Sequence, residues 1–217
     1  EFKGQDENPF VAGEFVWTGF DYLGEPTPYD APNDPSRSSY FGIVDLAGFK
    51  KDRFYLYQAR WRSNLPMAHI VPQCWDWPDR VGQITPVFVY TSGDSAELFL
   101  NGKSLGLERQ SKYQYRLCWN DVKYEPGELK VVAYKNGKPW ATDVVQTTGA
   151  AAKLALQPDR DKIRADGRDW SGFTWKGVVK RGSVVPRADG AIHFEISGPG
   201  EIVAADNGDP RDLTSFP

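Results

Sequence analysis

The strongest constraint on this chain is a period-two hydrophobic pattern that runs from about residue 67 to residue 148. Side chains of a β-strand point alternately to its two faces, so this alternation predicts short strands with one buried face. Two Asn-Gly pairs, at residues 101–102 and 136–137, supply the left-handed backbone that a two-residue hairpin requires. About seven short strands separated by regular turns predict an immunoglobulin-like β-sandwich over residues 66–148.

The residues before this region follow a different pattern. Residues 11–18 form a short apolar run, which predicts a strand buried on both faces. A long loop rich in aromatic residues and proline follows, and residues 51–62 predict a helix with its aromatic residues on one face. Trp75 and Trp77 lie beside prolines, and we expect them to pack between this unit and the sandwich. One strand, one loop and one helix make a single β/α unit, so residues 1–65 alone should expose a large apolar surface.

The last part of the chain, residues 149–217, is the third segment. It begins with a linker of small residues and is then rich in predicted strands, at residues 154–156, 173–180, 191–196 and 201–205. A complete sandwich takes about 100 residues. We therefore expect this second sandwich to be small or to lack its last strands.

Composition and charge exclude several classes of partner. A formal net charge of −3 provides no clustered basic surface for nucleic acid. No apolar run approaches the roughly 20 residues of a membrane helix, so we expect no membrane partner. Cys74 and Cys118 could be free thiols or one disulfide bridge, and two cysteines are too few for a zinc site. His69 and His193 lack the spacing of metal ligands. We expect no metal and no other cofactor.

Four motifs resemble the β-galactosidases of glycoside hydrolase family 2. The motif GEFVWTGFDYLGEPTPY at residues 13–29 is similar to the eighth strand of their catalytic barrel and the loop after it. The resemblance continues in SRSSYFGIVDLAGF at residues 36–49, ELFLNGKSLG at residues 97–106 and NGDP at residues 207–210. It therefore covers most of the chain.

The resemblance implies a mainly β fold that combines parts of three domains. Residues 1–65 would be the last β/α unit of a (β/α)8 TIM barrel. Residues 66–148 would be an immunoglobulin-like β-sandwich, and residues 149–217 a second β-sandwich that is incomplete. The expected partners are then the remaining domains of a longer chain and a carbohydrate substrate, and a homo-oligomer stays open.

The function implied is part of a retaining exo-β-galactosidase, which removes terminal β-D-galactosyl residues from oligosaccharides or glycans through a galactosyl-enzyme. Two alternatives remain open. One is a non-catalytic carbohydrate-binding or scaffold module. The other is a β-glucuronidase or β-mannosidase of the same family.

The resemblance also assigns roles to single residues. Trp17 matches the tryptophan that lines the subsite for the cleaved sugar in this family. The role suits the side chain, because a rigid indole can cover the apolar C–H face of galactose. Without the resemblance, Trp17 would be interpreted as a core residue. Asp21 and Glu25 follow in the loop, where they could bind a sugar hydroxyl or hold the loop in shape. The family's two catalytic glutamates lie on the fourth and seventh barrel strands, and no residue here matches either motif. We therefore expect no catalytic residue in this sequence.

Overall fold

The computed structural model describes residues 2–25 and 35–216. This part of the chain contains two α-helices, α1 (Phe2–Glu7) and α2 (Asp52–Trp61), and nine β-strands, so the mainly β fold class is confirmed. A single 3₁₀ turn is described, Pro78–Arg80. The strands are β1 (Ala68–Val71), β2 (Val87–Thr91), β3 (Ser95–Leu100), β4 (Lys103–Arg109), β5 (Leu117–Trp119), β6 (Glu128–Lys135), β7 (Lys138–Gln146), β8 (Lys153–Pro158) and β9 (Phe173–Val178).

The first seven strands form two antiparallel sheets, with the strand orders β1-β2-β5 and β4-β3-β6-β7. The prediction of about seven short strands is therefore confirmed. Alternate residues of both sheets point into one shared core, which makes the two sheets a sandwich. Each buried aliphatic side chain in such a core contributes about 1.5–3 kcal/mol. The buried strand residues are Ile70, Val87, Val89, Ala96, Leu98, Leu100, Leu117, Trp119, Leu129, Val131 and Ala133.

Both predicted Asn-Gly hairpins are confirmed. The loops at residues 101–102 and 136–137 join β3 to β4 and β6 to β7, and all four of their residues have positive φ angles. Asn101 also stabilises its loop through its side chain, whose Nδ2 donates to the Pro126 carbonyl at 3.1 Å. Its Oδ1 accepts from the Glu128 amide at 2.9 Å. The asparagine therefore serves both the turn and the neighbouring strand.

Trp75 lies inside the sandwich, and the expectation that it packs between the sandwich and the first β/α unit is wrong. Its side chain is fully buried in the core. The indole Nε1 donates to the Glu125 carbonyl at 3.0 Å, and the ring packs on Tyr124 at 4.9 Å between centroids. Trp77 is partly buried and packs against the same core.

Three predicted strands are not strands in the described residues. The segments 11–18, 191–196 and 201–205 pair with no neighbouring strand there, and the predictions over them are wrong. A strand requires a partner for its backbone N–H and C=O groups, and a local apolar pattern does not supply one. The period-two pattern also predicts a strand just before β5, and this part of the prediction is wrong. Tyr113 has a φ of 65° and belongs to a turn.

Helix α1, which the sequence did not predict, rests on the sandwich and on α2. The Phe2 ring lies 5.6 Å from the Tyr57 ring and 5.3 Å from the Tyr115 ring, edge to face in both cases. Asp6 accepts a 2.5 Å hydrogen bond from the Tyr115 hydroxyl and pairs with Arg60. These tertiary contacts hold a six-residue helix that would not be stable alone.

The third segment contributes a two-stranded antiparallel sheet of β8 and β9, with Leu154 and Leu156 exposed on it. Of the two cysteines, both are free thiols. Within residues 2–25 and 35–216, no group of three or more His, Cys, Asp or Glu side chains could hold a metal ion. No helix in those same ranges has the length and apolar character that a bilayer crossing requires.

Candidate functional site

Trp17 is an exposed side chain, with 74% of its surface accessible in this chain. Its indole Nε1 donates to the Tyr22 hydroxyl at 3.3 Å, and the two rings meet edge to face with centroids 6.1 Å apart. The peptide bond between Trp17 and Thr18 is cis. The accessible indole does not fit the core-residue alternative for Trp17 within this chain.

Tyr22 connects the two exposed candidate residues. Its hydroxyl accepts from the Trp17 indole and donates to the Glu25 carboxylate. Its ring packs against Phe41 at 6.0 Å, and its backbone exchanges two hydrogen bonds with Ser39, of 3.0 and 3.1 Å. Sequence reasoning missed Tyr22. The available signal was a phenol five residues after Trp17 and three before Glu25, in the same loop.

Asp21 is buried, and both of its carboxylate oxygens have partners. Oδ1 accepts from the Gly42 amide at 2.7 Å, and Oδ2 lies 2.5 Å from Lys51 Nζ. A Cβ added at Gly42 would lie 2.4 Å from the Asp21 backbone nitrogen, so only glycine permits this approach. The geometry therefore favours the alternative in which Asp21 holds the loop in shape. It does not favour the assignment of Asp21 to substrate binding.

Residues 36–45 (the 36–45 segment) run alongside residues 17–25 (the Trp17 segment). The amides of Ile43 and Val44 donate to the carbonyls of Thr18 and Gly19 at 3.2 and 3.1 Å, and the Asp21 amide donates to the Val44 carbonyl at 2.9 Å. Together with the Asp21 side chain, these bonds fix the backbone from which Trp17 projects.

The start of the chain exposes several large apolar side chains, which confirms the expectation for residues 1–65. Phe15 is fully exposed, although phenylalanine is usually buried. Large apolar side chains exposed together commonly mark a surface that another part of a protein covers. The exposed side chains are Phe10, Val11, Phe15, Trp17, Phe20 and Leu23.

A cleft of about 540 Å³ lies elsewhere, lined by residues 48–50, Tyr55, Gln73 and residues of the third segment. No lining residue belongs to the Trp17 segment. Some of its polar groups are engaged locally, since Asp159 accepts from Ser171 and from the Gly172 amide and its pKa is lowered by these bonds. The candidate site of this chain is therefore the exposed face of Trp17 with Tyr22 and Glu25.

Two families match parts of the chain. Residues 154–217 match "Glycoside hydrolase family 2 C-terminal domain 5". Residues 82–141, within the sandwich, match "Domain of unknown function (DUF4982)".

The chain is 43% identical over 211 residues to Beta-galactosidase BoGH2A of Bacteroides ovatus, which covers 97% of this chain and 24% of that protein. It is 31% identical over 170 residues to a Beta-glucuronidase of Formosa agariphila, covering 77% of this chain and 17% of that protein. The chain thus spans about a quarter or less of the length of these curated relatives.

Solved structures share the fold along almost the whole chain. A beta-glycosidase from Bacteroides vulgatus has a TM-score of 0.89 and 34% identity, covering 99% of this chain and 26% of that one. A glycosyl hydrolase family 2 member from Bacteroides cellulosilyticus has a TM-score of 0.89 and 30% identity, covering 99% of this chain and 32% of that one. With the C-terminal domain match and the 43% identity, this shared fold shows that the chain belongs to glycoside hydrolase family 2.

Proposed function

We propose that this chain is the C-terminal part of a retaining exo-β-galactosidase and that Trp17 forms the floor of the pocket for the terminal galactosyl residue. The observation that carries the proposal is the exposed Trp17 indole, held at its edge by Tyr22, which also binds Glu25. The similarity to a protein named beta-galactosidase supports the choice of substrate.

The chemistry of the three side chains suits a neutral sugar. The flat face of Trp17 can cover the apolar C–H groups of galactose, and its single indole N–H is already bonded to Tyr22. Glu25 accepts from Tyr22 through Oε2, and we assign its Oε1 to a sugar hydroxyl. Neither role requires Glu25 to react. Because no residue here matches either catalytic motif, we assign both catalytic carboxylates to the part of the parent protein outside this sequence.

The same proposal gives each region its place in the parent protein. We infer that residues 1–65 are the last β/α unit of a TIM barrel, in which residues 11–18 would pair with neighbouring barrel strands that lie outside this sequence. The exposed apolar side chains at residues 10–23 support this, because a closed barrel would cover them. Residues 66–148 are then the immunoglobulin-like domain. Residues 149–217 belong to a second sandwich whose remaining strands would cover Leu154 and Leu156.

The experiment compares Trp17→Ala with Trp170→Ala in the full-length protein that carries this sequence. Trp170 is a matched control, because it is also exposed but lies in the third segment. Loss of the sugar floor should lower kcat/KM for 4-nitrophenyl β-D-galactoside about 100-fold in Trp17→Ala. Trp170→Ala should change it less than about twofold. An unchanged kcat/KM in Trp17→Ala would remove the residue from the site.

A β-glucuronidase is the second candidate, because several relatives carry that name, two of them as putative β-glucuronidases. Recognition of a glucuronide carboxylate calls for a nearby cation. Residues 11–25 contain three carboxylates, of Glu14, Asp21 and Glu25, and no lysine or arginine, and Lys51, which reaches this segment, is paired with Asp21. This charge favours the galactoside. With matched 4-nitrophenyl glycosides, the β-galactoside should be preferred over the β-glucuronide and the β-mannoside. A higher kcat/KM for either of the other two would contradict the choice of galactoside.

A further inference from the structure

Arg37 joins two parts of the chain that are far apart in sequence. Its side chain reaches residues 206–216 (the 206–216 loop) of the third segment. Nη2 lies 2.7 Å from Asp206 Oδ1, and Nη1 donates to the Thr214 carbonyl at 2.5 Å. The guanidinium carbon lies 4.3 Å from the centroid of the Phe216 ring. The Arg37 amide also donates to the Pro210 carbonyl at 2.9 Å.

This contact is less exposed to solvent than an ordinary surface ion pair. The side chains of Arg37 and Asp206 are each only 15% exposed, so solvent screens their attraction less than at an open surface. The planar guanidinium serves a carboxylate, a carbonyl and an aromatic ring at once, which an ammonium group cannot do.

A second contact brings the 206–216 loop against the same part of the chain. A Cβ added at Gly208 would lie 2.5 Å from Asp45 Oδ2, so the loop backbone touches the Asp45 carboxylate directly. The 206–216 loop therefore contacts the 36–45 segment near both of its ends.

The 36–45 segment also makes direct contacts with the candidate site. Ser38 and Ser39 are completely buried. Ser39 exchanges two hydrogen bonds with the backbone of Tyr22, and the Tyr22 hydroxyl bonds both Trp17 and Glu25. Ser39, which makes these bonds to Tyr22, lies only two positions after Arg37.

We propose that Arg37 is a positioning residue for sugar binding: it fastens the 206–216 loop to the 36–45 segment and so fixes Tyr22, Trp17 and Glu25. Arg37 itself touches no substrate in this proposal. The inference rests on the proposed function of Trp17. It assigns to the third segment a part in substrate affinity, exerted through Arg37.

The test uses the full-length protein with 4-nitrophenyl β-D-galactoside as the probe. In Arg37→Ala, KM should rise about tenfold with little change in kcat, because the reacting groups lie elsewhere. Arg37→Lys keeps the charge and should recover part of the affinity. Arg181→Ala, an exposed arginine of the third segment, is the control and should leave KM unchanged.

Asp206→Asn is a milder variant for the case in which Arg37→Ala does not fold. It leaves the Thr214 and Phe216 contacts in place, so KM should rise about threefold. Both variants remove the same contact. The KM of the double variant Arg37→Ala/Asp206→Asn should therefore be no higher than the KM of Arg37→Ala alone. Additive effects would contradict a shared contact.

A second readout does not depend on the substrate. Hydrogen exchange of the Ser39 amide, which donates to the Tyr22 carbonyl, should become at least about tenfold faster in Arg37→Ala and stay unchanged in Arg181→Ala. Unchanged exchange together with an unchanged KM would overturn the role of Arg37. By contrast, an unchanged kcat/KM in Trp17→Ala would overturn the proposed function, whatever the exchange of Ser39 shows.

Discussion

The sandwich and the Trp17 segment use the same kinds of residue in opposite ways. In the sandwich, Trp75 is buried beside Tyr124 and its indole N–H donates to a backbone carbonyl. In the Trp17 segment, the indole is 74% exposed and its N–H donates to a side chain, Tyr22. A tryptophan whose polar atom is satisfied by its own domain core serves stability, whereas one held only at its edge keeps a free face for a ligand.

The largest effect that can break this comparison comes from truncating the two tryptophans. Trp75→Ala removes a fully buried side chain and should lower the free energy of unfolding of the sandwich by about 3–5 kcal/mol. Trp17→Ala removes an exposed one and should change it by less than about 0.5 kcal/mol. Urea unfolding followed by circular dichroism measures both. Equal losses of stability would erase the distinction between the two regions.

A smaller effect sharpens the comparison within the sandwich, at its two hairpins. Asn101 and Asn136 have nearly the same φ, 51° and 52°, and alanine at either position should cost about 1 kcal/mol in backbone strain. Asn101→Ala also removes the bonds to Pro126 and Glu128, so its total loss should be about 2–3 kcal/mol.

Asn101→Gly separates the two contributions, since glycine relieves the strain but not the lost side-chain bonds. The midpoints of urea unfolding should rank Asn136→Ala above Asn101→Ala, with Asn101→Gly between the parent chain and Asn101→Ala. A urea midpoint for Asn101→Gly equal to that of the unsubstituted chain would show that the side-chain bonds contribute nothing to stability.

The smallest effect concerns the contact of α1 with the sandwich and appears as a pH dependence. The hydrogen bond from Tyr115, together with Arg60, lowers the pKa of Asp6, so this stabilisation is present above the usual value of 3.8 and is lost as the pH falls through the folded pKa. Burial and the bond to Asp6 raise the pKa of Tyr115 to about 12, so its contribution is present below pH 10 and is lost as the pH rises toward 12.

Tyr115→Phe should reduce the pH-dependent loss of stability at both the acidic and the alkaline end. Thermal unfolding of the variant should show a smaller drop in Tm between pH 7 and pH 3 than the parent chain does. Tyr113→Phe removes a neighbouring phenol oxygen and serves as the control. A drop of the same size in Tyr115→Phe and in the parent would mean that Asp6 gains nothing from Tyr115.

The sandwich was predictable because its signals are local. Alternation fixes which side chains face the core, and two Asn-Gly pairs fix where the chain reverses. The failures have the opposite origin. The apolar runs at residues 11–18, 191–196 and 201–205 carry strand-like patterns but pair with no strand in the part of the chain described. Helix α1 depends on Phe2 meeting Tyr57 and Tyr115, which no local pattern encodes.

The candidate site shows the same division. Trp17 and Glu25 could be identified because they lie in a long motif, and the exposed indole agrees with that choice. Asp21 has the right chemistry for a sugar ligand, yet its oxygens bind Gly42 and Lys51. The role of Tyr22 depends on the conformation of the loop rather than on the type of residue. The spacing of Tyr22 from Trp17 and Glu25 was a signal, but the hydrogen bonds themselves could not be predicted from the sequence.

The contact between Arg37 and Asp206 has a consequence for the order of folding. The two residues are 169 positions apart, so their bond closes a loop that contains the entire sandwich. Closing a flexible loop of that length costs about 4–5 kcal/mol in chain entropy, which a folded sandwich reduces by bringing the ends together. On the ribosome, the sandwich can fold as soon as its last strand emerges. The Trp17 segment acquires its final support only after residue 206 has been synthesised, so this early segment is fixed later than the sandwich that follows it in the chain.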